Sequence, residues 1–322
     1  MEPKSLQEAI LYFADPVNCR EYLVARRWPD GVVCPRCGSK NVLFLENYNR
    51  WHCREKHDAP QFTLKTGTIF EDSALGLDKW LTAMWMAVNC KNGISSWEIH
   101  RALKVTQKSA WFMLGRIRLA LKIKVDEKFG GPDAGPVEVD ETFIGAQKRF
   151  MHADKKRRFS ATAKVDNKIA VMGFLDRELR QVRTKIIPNI RRENLQNEIL
   201  NHVEHGSRVF TDNANAYEHI LGERFVHEMV NKAESYVRGQ VHVNGIENFW
   251  SCLKRTLKGT YIAVEPFHLD RYIDEQIFRY NNRATKDNPL DDSDRFDLAV
   301  RQIVGKRLTY SELTGKPTAS AF

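Results

Sequence analysis

His242-Val-Asn-Gly-Ile-Glu-Asn-Phe-Trp-Ser-Cys-Leu-Lys254-Arg carries two faces at helical spacing. Ile246, Phe249, Trp250, Leu253 and Leu257 form an apolar stripe that a core can bury, which makes Trp250 a core residue. Asn244, Glu247, Ser251 and Lys254 fall on the neighbouring polar face. Glu247 and Lys254 stand two turns apart, so they point the same way roughly 10 Å apart along the axis. Two readings fit. In the first, Asn244 caps a helix and Glu247 reaches back as in a capping box. In the second, the carboxylate beside a large apolar face holds a metal and the lysine meets a phosphate. The rest of the chain must choose between them.

Upstream, Val137-Glu-Val-Asp140-Glu-Thr-Phe-Ile-Gly145 alternates as a strand, with Glu138 and Asp140 on one face and Val137 and Val139 on the other. A basic excursion follows, Lys148-Arg149 and Lys155-Lys156-Arg157-Arg158, which reads either as a phosphate-contacting loop or as solvated charge. Residues 169–175 and 181–187 read as a hairpin, 191–205 as a helix, and Ser207 to Asp212 as a short strand ending on a carboxylate. Residues 214–221 follow as a helix with Tyr217 in the core, and 224–230 as a strand. The order β-β-β-α-β-α-β-α suits a mixed sheet with helices packed on it.

The N-terminal part is of another kind. Residues 5–28 read as two short helices broken at Asp15-Pro16. Cys34-Pro-Arg-Cys37-Gly is a knuckle whose turn aims two sulfurs at one metal, and Cys53 with His57 supplies the second pair. Four soft donors in two close pairs fill a tetrahedral Zn²⁺ site, so the zinc is structural. His52 is an alternative fourth ligand. Residues 41–51 between the pairs read as a ribbon hairpin, and 61–70 continue it. Helices follow from Asp78 to Lys124, with a serine cap before Trp97 and Thr106 capping the next. That pair, the later helix carrying Gln107, Lys108, Arg116 and Arg118, reads either as a helix-turn-helix that meets DNA or as a plain helical packing unit. Phe129-Gly-Gly-Pro-Asp-Ala-Gly-Pro136 reads as a linker.

Composition agrees with a globular chain. Of 322 residues, 50 are Lys or Arg against 41 Asp or Glu, a net charge of +9 that favours a polyanionic partner. The six cysteines form no disulfide framework. No apolar run is long enough for a membrane span and the N-terminus lacks the pattern of a signal peptide, so the expected place is the cytoplasm, at the nucleoid.

Taken together, Cys34-Pro-Arg-Cys37, Thr66-Gly-Thr-Ile-Phe70, Lys79-Trp-Leu81, Val139-Asp140-Glu-Thr-Phe-Ile-Gly145, Thr211-Asp212 and the His242–Lys254 stretch resemble a DDE-type transposase of a bacterial insertion sequence. The chain is most similar to the zinc-ribbon-bearing family numbered fifteen ninety-five, over roughly residues 15 to 285. The resemblance implies a ribonuclease-H-like domain in which Asp140, Asp212 and Glu247 bind two Mg²⁺ or Mn²⁺ ions about 4 Å apart. Asn244 is the rival for the third ligand. The resemblance further implies Lys254 on DNA phosphate, recognition of terminal inverted repeats, strand cleavage and transfer, and a homo-oligomer on DNA. Two rivals are a non-catalytic DNA-binding relative and a ribonuclease-H-like nuclease without strand transfer. The expected division is an N-terminal helical segment (1–29), zinc ribbon (30–70), helix-turn-helix-like block (76–126), catalytic domain (136–285) and C-terminal tail (286–322).

Overall fold

The computed structural model describes residues 2–123, 127–145, 168–212, 217, 224–230 and 239–315. The chain divides into two compact units, residues 1–123 with 282–322, and residues 124–281.

The first unit begins with α1 (Leu6–Phe13) and α2 (Pro16–Arg27). Asp15 caps α2 through Val17 N–H, with Pro16 at the first helical position, where its missing donor costs nothing. A three-stranded antiparallel ribbon follows, β1 (Val42–Leu45), β2 (Arg50–Cys53) and β3 (Gln61–Phe62). Trp51 stacks on Phe62 and meets Trp28 and Phe44, giving this small ribbon an aromatic core. Helices α3 (Leu77–Asn89), α4 (Ser96–Leu103) and α5 (Gln107–Leu121) come next. The expected caps are in place: Ser95 accepts from Glu98 N–H in a reciprocal capping box, and Thr106 accepts from Ser109 N–H.

The C-terminal residues, expected as a separate tail, belong to this unit. Helix α9 (Asp292–Arg301) places Phe296 against Phe13, Tyr22 and Trp85, while Arg26 pairs with Asp297. Leu313 of α10 (Tyr310–Thr314) packs on Gly115 so closely that a Cβ there would sit 3.0 Å from its methyl groups.

The second unit is a mixed five-stranded sheet in the order β6-β5-β4-β7-β8. Its strands are β4 (Val137–Ile144), β5 (Ile169–Asp176), β6 (Gln181–Ile187), β7 (Arg208–Asp212) and β8 (Val226–Val230). β4, β5 and β6 are successive antiparallel neighbours, whereas β4, β7 and β8 run parallel. One face is covered by α6 (Arg192–His202), whose Leu195 and Ile199 join Phe129, Val137, Val139, Met172 and Phe174 in a core. The other face is covered by α7 (Asn244–Thr256) and α8 (Leu269–Asn281). There Ile246, Phe249, Trp250 and Leu253 meet Val171, Leu175 and Ile273, so the apolar stripe is buried as its spacing predicts. Each such side chain contributes about 1.5–3 kcal/mol on burial. That amount exceeds any intrinsic helix preference and fixes how α7 lies on the sheet.

The stretch at 129–136, expected as a linker between domains, is instead part of the second unit. Phe129 is fully buried, and the amides of Gly130, Gly131 and Gly135 donate to Asp176, Ser207 and Glu178.

Candidate metal centres

The four expected zinc ligands converge. Sγ of Cys34, Cys37 and Cys53 and a ring nitrogen of His57 all lie within 4.8 Å of one another. Cys34 Sγ is 3.5 Å from His57 Nε2, and Cys37 Sγ is 3.6 Å from Cys53 Sγ. His57 Nδ1 lies 2.8 Å from the Asp58 carbonyl, which keeps its proton on Nδ1 and turns the Nε2 lone pair toward the sulfurs. Burial pushes the Cys34 thiol up, but the N–H groups of Cys37 and Arg36 outweigh it and bring it down to about 7, which favours the thiolate a metal needs. His52 is excluded as the alternative ligand. It is the strand neighbour of Cys53, paired with Leu43 and Gln61, so alternation sends it to the opposite face of the ribbon.

Carboxylates gather on β4. Its parallel pairing with β7 matches Val137 to Val209 and Glu138 to Phe210. Asp140 and Asp212 each stand two residues beyond the last of these pairs. Among the described residues, the acidic oxygens that lie within 4.8 Å of one another belong to Asp140, Glu141 and Asp212. Paired backbone between β4 and β7 stops at Glu138, so side chains from both faces of β4 can reach this edge. Alternation alone assigns Glu141 to the face opposite Asp140, so the sequence pattern does not mark it as a site residue. Its one signal was adjacency in the Asp140-Glu141 pair.

At a separation of 4.8 Å or less, each pair of ionised carboxylates repels by roughly 3 kcal/mol or more at an effective dielectric of about 20. A divalent cation would offset that repulsion, and an all-oxygen donor set fits Mg²⁺ or Mn²⁺ rather than a softer ion.

Helix α7 is anchored to the same strand. Its N-cap residue supplies no side-chain cap, because that position is Val243 and Asn244 is already helical. The capping-box reading of Asn244 and Glu247 is therefore not what the structure has. The cap comes from across the sheet, where Glu138, 1% exposed, accepts from Ile246 N–H at 2.9 Å. Gly245 allows that approach, since a Cβ there would fall 2.9 Å from Glu138 Oε2. Arg177 locks the arrangement, donating to Glu138 at 2.6 Å and to the carbonyls of Gln240 and His242.

One turn beyond Ile246, Trp250 donates its indole N–H to Asp140 Oδ2 at 3.1 Å. Glu247 is half-buried on the first turn between these two anchors, outside the group of mutually close carboxylates. Asn244 is exposed and Lys254 half-buried.

The proposed DNA contacts fare unevenly. Lys108 is exposed, above the Tyr310 ring, and Gln107 donates to Ser96 Oγ, tying α5 to α4. Arg116 and Arg118 are buried, at 4% and 3% exposure, and so do not present charge to a nucleic acid. Arg116 directs its donors to the carbonyls of Ile69, Glu71 and Leu308, joining α5 to two other segments of its unit. Helical spacing could not foretell that, because the acceptors are backbone groups far along the chain. Lys148, Arg149, Lys155, Lys156, Arg157 and Arg158 lie outside the described residues.

Residues 133–281 match the sequence model described as the ISXO2-like transposase domain, and residues 15–55 match the transposase zinc-ribbon domain of the same type. The chain belongs to that transposase family. A Halobacterium salinarum protein named as an uncharacterized protein in transposable element ISH50 is 26% identical over 76% of this chain and 84% of its own length. An uncharacterized transposase-like protein of Haemophilus influenzae is 29% identical over 33% of this chain and 85% of its own. A simian T-cell lymphotropic virus intasome in complex with PP2A regulatory subunit B56 gamma aligns at 12% identity over 56% of this chain and 67% of that one. Its TM-score of 0.28 is too low to carry an argument. No described helix is long and apolar enough to cross a membrane.

Proposed function

We propose that this family member is a DNA transposase that cleaves and joins strands at the ends of its own element. The observation that carries the reading is the convergence of Asp140, Glu141 and Asp212, whose acidic oxygens lie within 4.8 Å of one another. We read the sheet order β6-β5-β4-β7-β8, with its antiparallel hairpins and parallel second half, as ribonuclease-H-like. Placing the cluster where parallel β4 and β7 part accords with the general siting of ligands in such sheets.

Asp140, Asp212 and Glu141 would hold a divalent cation, and Glu247 would complete the set once DNA is bound. The cation supplies activation of water or a 3′-hydroxyl and stabilisation of the leaving oxygen. The protein contributes rigidity. Glu138 and Arg177 fix where α7 begins, so Glu247 and Lys254 are presented from one helix, the lysine toward a phosphate. In the first unit, α4 and α5, joined by a tight turn with Lys104 in the left-handed conformation, are read as a helix-turn-helix with Lys108 and Gln107 facing DNA. Joining two ends needs two such sites, hence an oligomer on DNA.

The test is cleavage and joining of DNA bearing the terminal repeats that flank the gene, with Mg²⁺ or Mn²⁺. Wild type runs beside Glu247→Gln and Asn244→Ala. The expected result is loss of both steps in Glu247→Gln with DNA binding kept. Repeat binding with no cleavage by wild type would overturn the enzymatic reading.

A further inference from the structure

We propose that Trp250 and Tyr217 are positioning residues for the cation site, each holding one carboxylate of β4 from opposite faces of the sheet. The inference rests on reading that cluster as the cation site. Trp250 approaches from the α7 face and donates its indole N–H to Asp140 Oδ2 at 3.1 Å. Tyr217 belongs to the opposite core and donates its hydroxyl to Glu141 Oε2 at 2.6 Å. Both rings are buried, Tyr217 completely and Trp250 to 4% exposure.

A buried indole or phenol needs an acceptor, and a backbone carbonyl would serve. Here both use acidic oxygens of the same cluster.

The sheet is also shaped for the indole. Asp140 pairs with Gly173 on β5, and a Cβ on Gly173 would lie 2.5 Å from Trp250 Cζ2. The position directly across from the carboxylate is thus left without a side chain, and the ring occupies the space.

Two donors of this kind do what second-layer partners do at metal centres. They occupy one oxygen, fix the rotamer, and stabilise the ionised form that a cation requires. A purely structural role would need the rings but not their N–H and O–H groups.

The test uses the full chain without DNA and Mn²⁺ as the probe, its binding followed by electron paramagnetic resonance. Trp250→Phe and Tyr217→Phe keep an aromatic ring and remove the donor. Each is expected to weaken Mn²⁺ binding by about tenfold, the usual size of a second-layer loss, with the second unit still folding cooperatively and DNA affinity unchanged. Unaltered Mn²⁺ affinity in both variants would overturn the proposal, even with an intact cation site. Absence of Mn²⁺ binding by wild type would overturn the site as well.

A second measurement needs no variant of either ring. With the seven tryptophans labelled on the indole nitrogen, one N–H resonance is expected to move when Mg²⁺ is added. That response should vanish in Asp140→Asn. If no indole resonance responds to Mg²⁺, Trp250 does not position the site.

Discussion

The zinc site and the carboxylate site each bring side chains within 4.8 Å, but from very different lengths of chain. Cys34 and His57 are 23 residues apart, joined by one ribbon whose turns alone carry the ligands together. Asp140 and Trp250 are 110 residues apart, and they meet only because a sheet has formed and a helix has been laid across it. The first site is made by local geometry plus the metal. The second is made by the core, with Glu138, Arg177 and two glycines setting the last ångström.

The two should therefore break differently. Replacing Cys53 with Ser is expected to have the largest effect, loss of a structural zinc bound with about 10 kcal/mol or more. Atomic absorption should fall from one zinc per chain toward none, while the second unit keeps its own melting transition. If that transition also disappears, the sites are not independent in this way.

Asp140→Asn should leave both units folded and lower strand cleavage by about a thousandfold, equal to about 4 kcal/mol of barrier. A cleavage assay with a parallel DNA-binding measurement checks it.

Arg177→Met leaves Glu138 buried beside the start of α7 with its guanidinium partner gone. About 3 kcal/mol should be lost from the second unit by denaturant unfolding, the cost of breaking a buried pair. A change below about 0.5 kcal/mol would mean that helix burial, rather than this cap, fixes α7.

Gly173→Ala forces a methyl into the indole. It should cost roughly 1–3 kcal/mol and weaken Mn²⁺ binding in step, which an ordinary overpacked position would not do.

The smallest effect belongs to His52→Ala, on the outer face of the ribbon. Zinc content should be unchanged and stability should shift by about 0.5 kcal/mol or less. Loss of zinc there would reverse the choice between His52 and His57.

This contrast also explains what could be read in advance. The zinc ligands, the caps at Ser95 and Thr106, the hairpin of β5 and β6, and the apolar face of α7 all rest on spacings of a few residues, where periodicity and turn chemistry act directly. Asp140 and Asp212 are legible from their strand positions, and their acidic oxygens lie within 4.8 Å of each other. Glu141 was passed over, since it sits on the other face by alternation and reaches the cluster only where β4 and β7 part. Arg116 and Arg118 look like DNA contacts on a helical wheel, and burial makes them interior groups. Phe129 and Phe296 sat in stretches taken for a linker and a tail, yet both are core. A short apolar helix is legible around Phe296, but the partners of both rings lie far along the chain, so no local pattern says what they pack on.

By itself, then, the sequence determined the ribbon and its three cysteine ligands, the helical and strand periods, and the family to which the chain belongs. These follow from contacts between near neighbours and from motifs read in line. Only the tertiary structure decided that Glu138, not Asn244, caps α7, that Glu141 joins Asp140 and Asp212, and that Trp250 and Tyr217 bind carboxylates rather than carbonyls. The reason is that each of these depends on strand register and on where a helix lands. Burial of apolar faces over the whole unit fixes both.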